Sequence, residues 1–74
     1  MSTITGERIS YLRYEKNLTR DELSKIINVS KRTIVAYEQG TREPSLKTLR
    51  LLVEYFNVSA DYILGYTNKP YCLD

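Results

Sequence analysis

The sequence predicts an all-α fold, a compact domain of five short helices, on three observations. Apolar residues recur three or four apart through most of the chain, the period of one helix face. Each such stretch follows a Ser or Thr able to cap a helix start. Each also ends at an Asn or Gly, the residues that most readily take the left-handed conformation closing a helix.

The first helix is expected to begin near Thr3–Thr5 and to run to about Lys16, with Ile9 and Leu12 inward and Glu7, Arg8 and Glu15 outward. Asn17 is its stop. Thr19, Arg20, Asp21 and Glu22 then spell a capping box, in which the Thr19 hydroxyl accepts from the Glu22 amide and the Glu22 carboxylate accepts from the Thr19 amide. Asp21 and Glu22 also set negative charge against the positive end of the helix dipole. Leu23, Ile26 and Ile27 form the buried stripe of this second helix, and Asn28 ends it. Ser30 caps a third helix that Gly40 stops. Pro44 pushes Glu43 out of helical geometry, so residues 41–44 are a loop. Ser45 caps a fourth helix with the stripe Leu46, Leu49, Leu52, Val53 and Phe56, ended by Asn57. Ser59 caps a short fifth helix that turns Ile63 and Leu64 inward and closes at Gly65. Residues 1–65 make the domain; residues 66–74, which include Pro70, read as an irregular tail.

Composition narrows the chemistry. Seventy-four residues make one domain, and 42% hydrophobic with 27% charged residues is a globular composition. A net charge of +2 is compatible with nucleic acid but too weak to argue for it, so the placement of the cations decides. Cys72 is the single cysteine, which precludes an intramolecular disulfide and fits a reducing compartment. No apolar run nears the ~18 residues of a membrane span, and the first residues lack a signal-peptide pattern, so a cytoplasmic protein without membrane association is expected. The chain has no histidine, which removes the commonest general base and zinc ligand. Gly6, Gly40 and Gly65 are too far apart for a phosphate-cradling loop. No catalytic residue, metal site or cofactor is expected.

Residues 19–39 carry the functional expectation. Two helices joined by so short a turn must cross steeply, which requires a small residue at the crossing and a turn residue tolerant of positive φ. Ser24 and Asn28 supply these, and Leu23, Ile27, Val29, Ile34 and Tyr37 fill the inside of the corner. Those are the steric needs of a helix-turn-helix. Projecting the third helix at about 100° per residue puts Ser30, Ile34 and Tyr37 on the inner side. Arg32, Ala36 and Gln39 lie opposite, flanked by Lys31, Thr33 and Val35. That outer face has two cations, two small apolar side chains and no acid. A plain solvated face would also hold Lys31 and Arg32. A duplex major groove fits better, because Arg or Lys donates to guanine and small apolar groups meet the thymine methyl.

From "GERISYLR" through "LTRDELSKIINVSKRTIVAYEQGTREPSLKTLRLLVEYFNVSADYILG", residues 6–65 resemble the lambda-repressor/Cro-type helix-turn-helix family. The spacing of Leu23, Ser24, Val29, Ser30, Ile34, Tyr37, Glu38, Gly40, Pro44 and Ser45 carries the resemblance. Arg20 and Asn28 depart from it, since the family usually has glutamine and glycine there. The resemblance implies that Lys31, Arg32 and Ala36 face base edges with Val35 close by. It implies that Arg20, Ser30, Thr33, Thr41 and Arg42 hold the phosphate backbone, and that Arg13 and Glu38 form a buried structural ion pair. Thus the expected partner is a double-stranded DNA operator and the expected role a transcription regulator, more often a repressor, working as a homodimer. The alternative is a DNA-binding antitoxin that sequesters a toxin partner. Tyr11, Tyr14, Tyr55, Tyr62, Tyr66 and Tyr71 exceed what a small core needs, so some of them, with the tail, are either partly exposed packing or a self-association surface.

Overall fold

The computed structural model describes residues 3–70, and among them the chain forms five α-helices: α1 (Ile4–Glu15), α2 (Arg20–Ile26), α3 (Lys31–Gln39), α4 (Leu46–Phe56) and α5 (Ala60–Leu64). Every helix starts on a hydroxyl. Thr3, Thr19, Ser30, Ser45 and Ser59 hold extended backbone and accept from the amide three residues on, at 3.0–3.2 Å. Thr19 completes its capping box by donating its own amide to Glu22 Oε1 at 2.8 Å. Each cap satisfies an amide that the helix leaves without an internal partner, worth about 1 kcal/mol.

The helix ends share a device as well. Beyond each helix an amide reaches back to the carbonyl five residues earlier: Leu18 to Arg13, Val29 to Ser24, Thr41 to Ala36, Val58 to Val53 and Tyr66 to Asp61, at 2.8–3.3 Å. The residue just before each of these donors has positive φ, namely Asn17, Asn28, Gly40, Asn57 and Gly65. This closure turns the chain sharply and drops Leu18, Val29 and Val58 onto the core. At three of the five turns asparagine does what glycine does elsewhere, since its short side chain makes the left-handed region less costly than it is for other L residues.

The core joins Ile9 and Leu12 of α1, Leu23 of α2 with Ile27 just beyond it, Ile34 and Tyr37 of α3, Leu52 and Phe56 of α4, and Tyr62 and Ile63 of α5, together with Val58. Helix α1 packs against both α3 and α5, α2 against α3, and α4 against α5. Burying each of the large aliphatic side chains stabilises by roughly 1.5–3 kcal/mol, which is what holds such short helices in place. Ser24 is buried, and its hydroxyl bonds the Asp21 carbonyl at 2.6 Å, so it brings no unpaired polar group into the packed side of α2. Gly6 lies where α1 crosses the end of α3. A Cβ there would run into the carbonyl oxygen of Tyr37 and stand 2.8 Å from that of Glu38.

Several expected orientations are corrected. Arg8 does not point outward. It crosses to α5, donating through Nη1 to the carbonyls of Tyr62 (2.9 Å) and Thr67 (3.0 Å) and through Nη2 to Asn68 Oδ1 (3.0 Å), with its guanidinium 4.1 Å from the Tyr62 ring centroid. Because α1 is covered on two sides, by α3 and α5, a one-sided stripe misplaces it. Ile26, Leu46 and Leu64 are exposed rather than inward, and Leu49 and Val53 are half-buried. Leu46 is the first residue of α4 and Leu64 the last of α5. Tyr62 takes the inward place on α5 beside Ile63, beneath Arg8. The tail is irregular over residues 66–70 but fastened, because the Ser59 amide also donates to the Pro70 carbonyl at 2.8 Å. Tyr71 and Cys72 lie outside the described residues.

Candidate nucleic-acid interface

Helix α3 is held from beneath and at both ends. Ile34 and Tyr37 are buried against the core, Ser30 caps the start, and the Gly40–Thr41 closure fixes the finish. Glu38, also on the buried side, is one turn on from Ile34. Arg13 of α1 meets its carboxylate with Nε 2.7 Å from Oε2 and Nη2 3.2 Å from Oε1, while Nη1 donates to the Leu18 carbonyl at 2.9 Å. The two side chains are 8% and 3% exposed, so the charges are taken out of water together and almost fully hydrogen-bonded. The bond to Glu38 raises the Arg13 pKa further above its ordinary range, against the opposing effect of burial, so the guanidinium stays cationic. Arg13 also lies over the exposed ring of Tyr14, 4.6 Å from its centroid.

What α3 offers to solvent follows from that anchoring. Lys31, Arg32 and Gln39 are exposed, and Thr33, Val35 and Ala36 are half-buried between them. The one acid of the helix is turned under, so the outward face carries two cations and no anion. Ser30 is exposed and does not share the inner side with Ile34 and Tyr37. As the cap it stands off the helix with extended backbone, and its Oγ lies 2.8 Å from Oγ1 of Thr33. Thr41 and Arg42 follow the far end of α3, both exposed, with the Thr41 hydroxyl bonded to the Ala36 carbonyl at 3.3 Å.

Arg20, at the start of α2, is not a plain surface cation. Its Nε donates to Glu38 Oε1 at 3.1 Å, although 41% of its side chain remains exposed. Arg20 and Lys31 line a single solvent-open cleft together with Arg13, Tyr14, Thr19 and Asp21. Among the expected site residues, Lys31, Arg32, Val35 and Ala36 lie along α3, Ser30 caps its start beside Thr33, Arg20 bonds Glu38 and shares a cleft with Lys31, and Thr41 and Arg42 follow Gly40 past its end. Two features that position α3 were not foreseen. Gly6 sets how closely α1 approaches α3, and its signal is a glycine inside a helix, where glycine is ordinarily costly. The second tie on Glu38, from Arg20, had no local signal.

These features, a capped helix with no acid on its outer face, packed on its predecessor and joined to it through a left-handed asparagine, define a helix-turn-helix protein. A model of the family described as "Helix-turn-helix" matches residues 9–63, and the chain belongs to that family. It is similar to the uncharacterized HTH-type transcriptional regulator YobD of Bacillus subtilis (strain 168), with 36% identity over 64 residues that cover 86% of this chain and 57% of YobD. It is also similar to the cryptic phage CTXphi transcriptional repressor RstR of Vibrio cholerae, with 39% identity over 53 residues, 72% of this chain and 48% of RstR. The chain spans about half the length of these two relatives. Among solved structures, the P22 c2 repressor protein in complex with synthetic operator 9T superposes with a TM-score of 0.82 at 29% identity, covering 89% of this chain and all of that one. Among the described residues no helix is long and apolar enough to cross a membrane, and no His, Cys, Asp and Glu cluster is placed to hold a metal ion.

Proposed function

We propose that this chain is a sequence-specific DNA-binding transcription regulator, acting as a repressor, that lays helix Ser30–Gln39 into the major groove. The observation that carries the reading is the outward face of α3, where Lys31 and Arg32 project beside half-buried Val35 and Ala36 while Glu38 is turned into the interior. Lys31 and Arg32 donate to guanine edges, and Val35 and Ala36 are small enough to let the helix approach and to touch a thymine methyl. Arg20, Ser30, Thr33, Thr41 and Arg42 hold the backbone on either side and set the register. Occluding a promoter requires nothing but binding, so the module suffices for repression. The chemistry is recognition alone, with no catalysis, and its place is the cytoplasm, where the DNA is.

Two copies act together. One helix-turn-helix makes few contacts, and useful affinity comes from a homodimer on half-sites about one turn, ~34–36 Å, apart. The regulators and repressors among its relatives favour this reading over a toxin-sequestering antitoxin. The test is selection of bound duplexes from a random pool, followed by titration of variants on the selected site and on random DNA. Arg32→Ala is expected to cost ~1–3 kcal/mol and to relax the preference at one base pair, whereas Arg42→Ala weakens both duplexes alike. Equal losses on both duplexes for Arg32→Ala would defeat the base-reading assignment.

A further inference from the structure

Glu38 is the only buried carboxylate among the described residues, and it holds two arginines rather than one. Arg13 already engages both of its oxygens, so the buried charge is neutralised without help. Arg20 adds a bond through Nε to Oε1, and its two terminal nitrogens have no partner among the described residues. A guanidinium is planar, and its donors point outward along separate edges. One edge can rest on a carboxylate while another faces an anion. Lys31 shares the cleft with Arg20. The acid on its wall, Asp21, also pairs with Lys25, whose Nζ is 3.4 Å from the Asp21 carboxylate. Counting Arg13, Arg20 and Lys31 against Asp21 and Glu38, the cleft keeps a surplus of one positive charge.

The geometry points to Glu38 as a positioning residue for DNA binding: it fixes Arg20 by Nε so that the outer edge of the guanidinium holds one backbone phosphate, beside the base-reading start of α3. This rests on the DNA-binding reading above and assigns to that reading a single phosphate subsite with its own internal support. Arg20 is ordered before the duplex arrives, so less freedom is lost on binding. Lysine in its place keeps the charge but not the two edges, since an ammonium is a point charge on a flexible stem.

The full chain is titrated with a random-sequence duplex over a series of salt concentrations, as the wild type, Arg20→Gln, Arg20→Lys and Glu38→Gln, with a thermal melt of each. Arg20→Gln is expected to weaken binding about tenfold, the value of one charge-assisted hydrogen bond. It should also lower the slope of log affinity against log salt by about 0.9, the signature of one phosphate released. Arg20→Lys should keep the wild-type slope yet lose most of the same affinity. In ¹⁵N spectra the Arg20 Nε–H signal should persist at neutral pH in the wild type and shift when duplex is added. If Glu38→Gln does not fold, Arg20→Lys and this signal still decide. Arg20→Lys binding like the wild type, or Arg20→Gln leaving the slope unchanged, overturns the positioning role while DNA binding by the wild type stands. Absence of salt-dependent binding to any duplex by the wild type overturns the functional reading and this subsite with it.

Discussion

Arg13 on α1 and Glu38 near the end of α3 form a two-bond ion pair, 2.7 Å at its shorter contact, in which both side chains are less than a tenth exposed. The pair fastens the helix that opens the fold to the one that faces outward. Removing Arg13 leaves a buried carboxylate with Arg20 as its remaining cation. Arg13→Ala is therefore expected to destabilise by about 3 kcal/mol, the lower end of the cost of breaking a buried pair. Chemical denaturation measures it, and a loss under about 0.5 kcal/mol, the scale of an ordinary surface change, would show that the Glu38 carboxylate does not depend on Arg13 for its compensation.

Gly6 gives a prediction of opposite sign to helix propensity. Alanine is the better helix former by about 1 kcal/mol, yet its Cβ would press on the carbonyls of Tyr37 and Glu38. Gly6→Ala should destabilise by roughly 1–3 kcal/mol, because backbone on both sides has to move. A melting temperature that rises on this substitution would mean that α1 and α3 have room to spare.

Asn28 sits at φ 58° in the turn between α2 and α3. Asn28→Gly should leave stability unchanged or raise it by less than about 1 kcal/mol, as relief of left-handed strain is offset by the extra freedom of glycine when unfolded. Asn28→Ala should lose about 1 kcal/mol. Urea midpoints of the three proteins settle the order, and alanine matching asparagine would remove strain from the account of this turn.

Arg8 bonds the carbonyls of Tyr62 and Thr67 and the side chain of Asn68, so its removal should loosen residues 66–70. Arg8→Ala is expected to cost about 1–3 kcal/mol for the lost bonds to a charged donor. The Ser59 amide, which donates to the Pro70 carbonyl, should exchange its hydrogen faster. The Ile34 amide, held inside α3 by the Ser30 carbonyl, should slow or quicken only with global stability. Equal changes at the two amides would mean that Arg8 acts on the whole fold and not on the tail.

The features legible in the sequence are those decided within a few residues. A hydroxyl three residues before an amide caps a helix whatever surrounds it, which is why Thr19 and Glu22, and the stops at Asn17, Asn28, Gly40 and Asn57, could be read directly. Contacts across the chain were legible only where a family pattern supplied them. Spacing alone puts Leu46 and Leu64 on the apolar face of their helices, but only the assembled core decides whether that face is covered at its end. Arg8 and Arg20 look like surface cations because nothing nearby in sequence explains them. Their partners lie 54 to 60 residues away for Arg8, and 18 away for Arg20. The face of α3 was readable by helix geometry, while the support beneath Arg20 depended on where α2 and α3 finally met.

All five caps are Thr or Ser, whereas Asp caps a helix equally well. At Ser30 the difference reaches beyond the helix. On the proposed reading, an ionised cap there would bring a fixed anion to the edge that faces the duplex and would repel it. An uncharged hydroxyl orders the first turn just as firmly and is electrically silent, so the amides at that end keep their attraction for whatever negative group arrives.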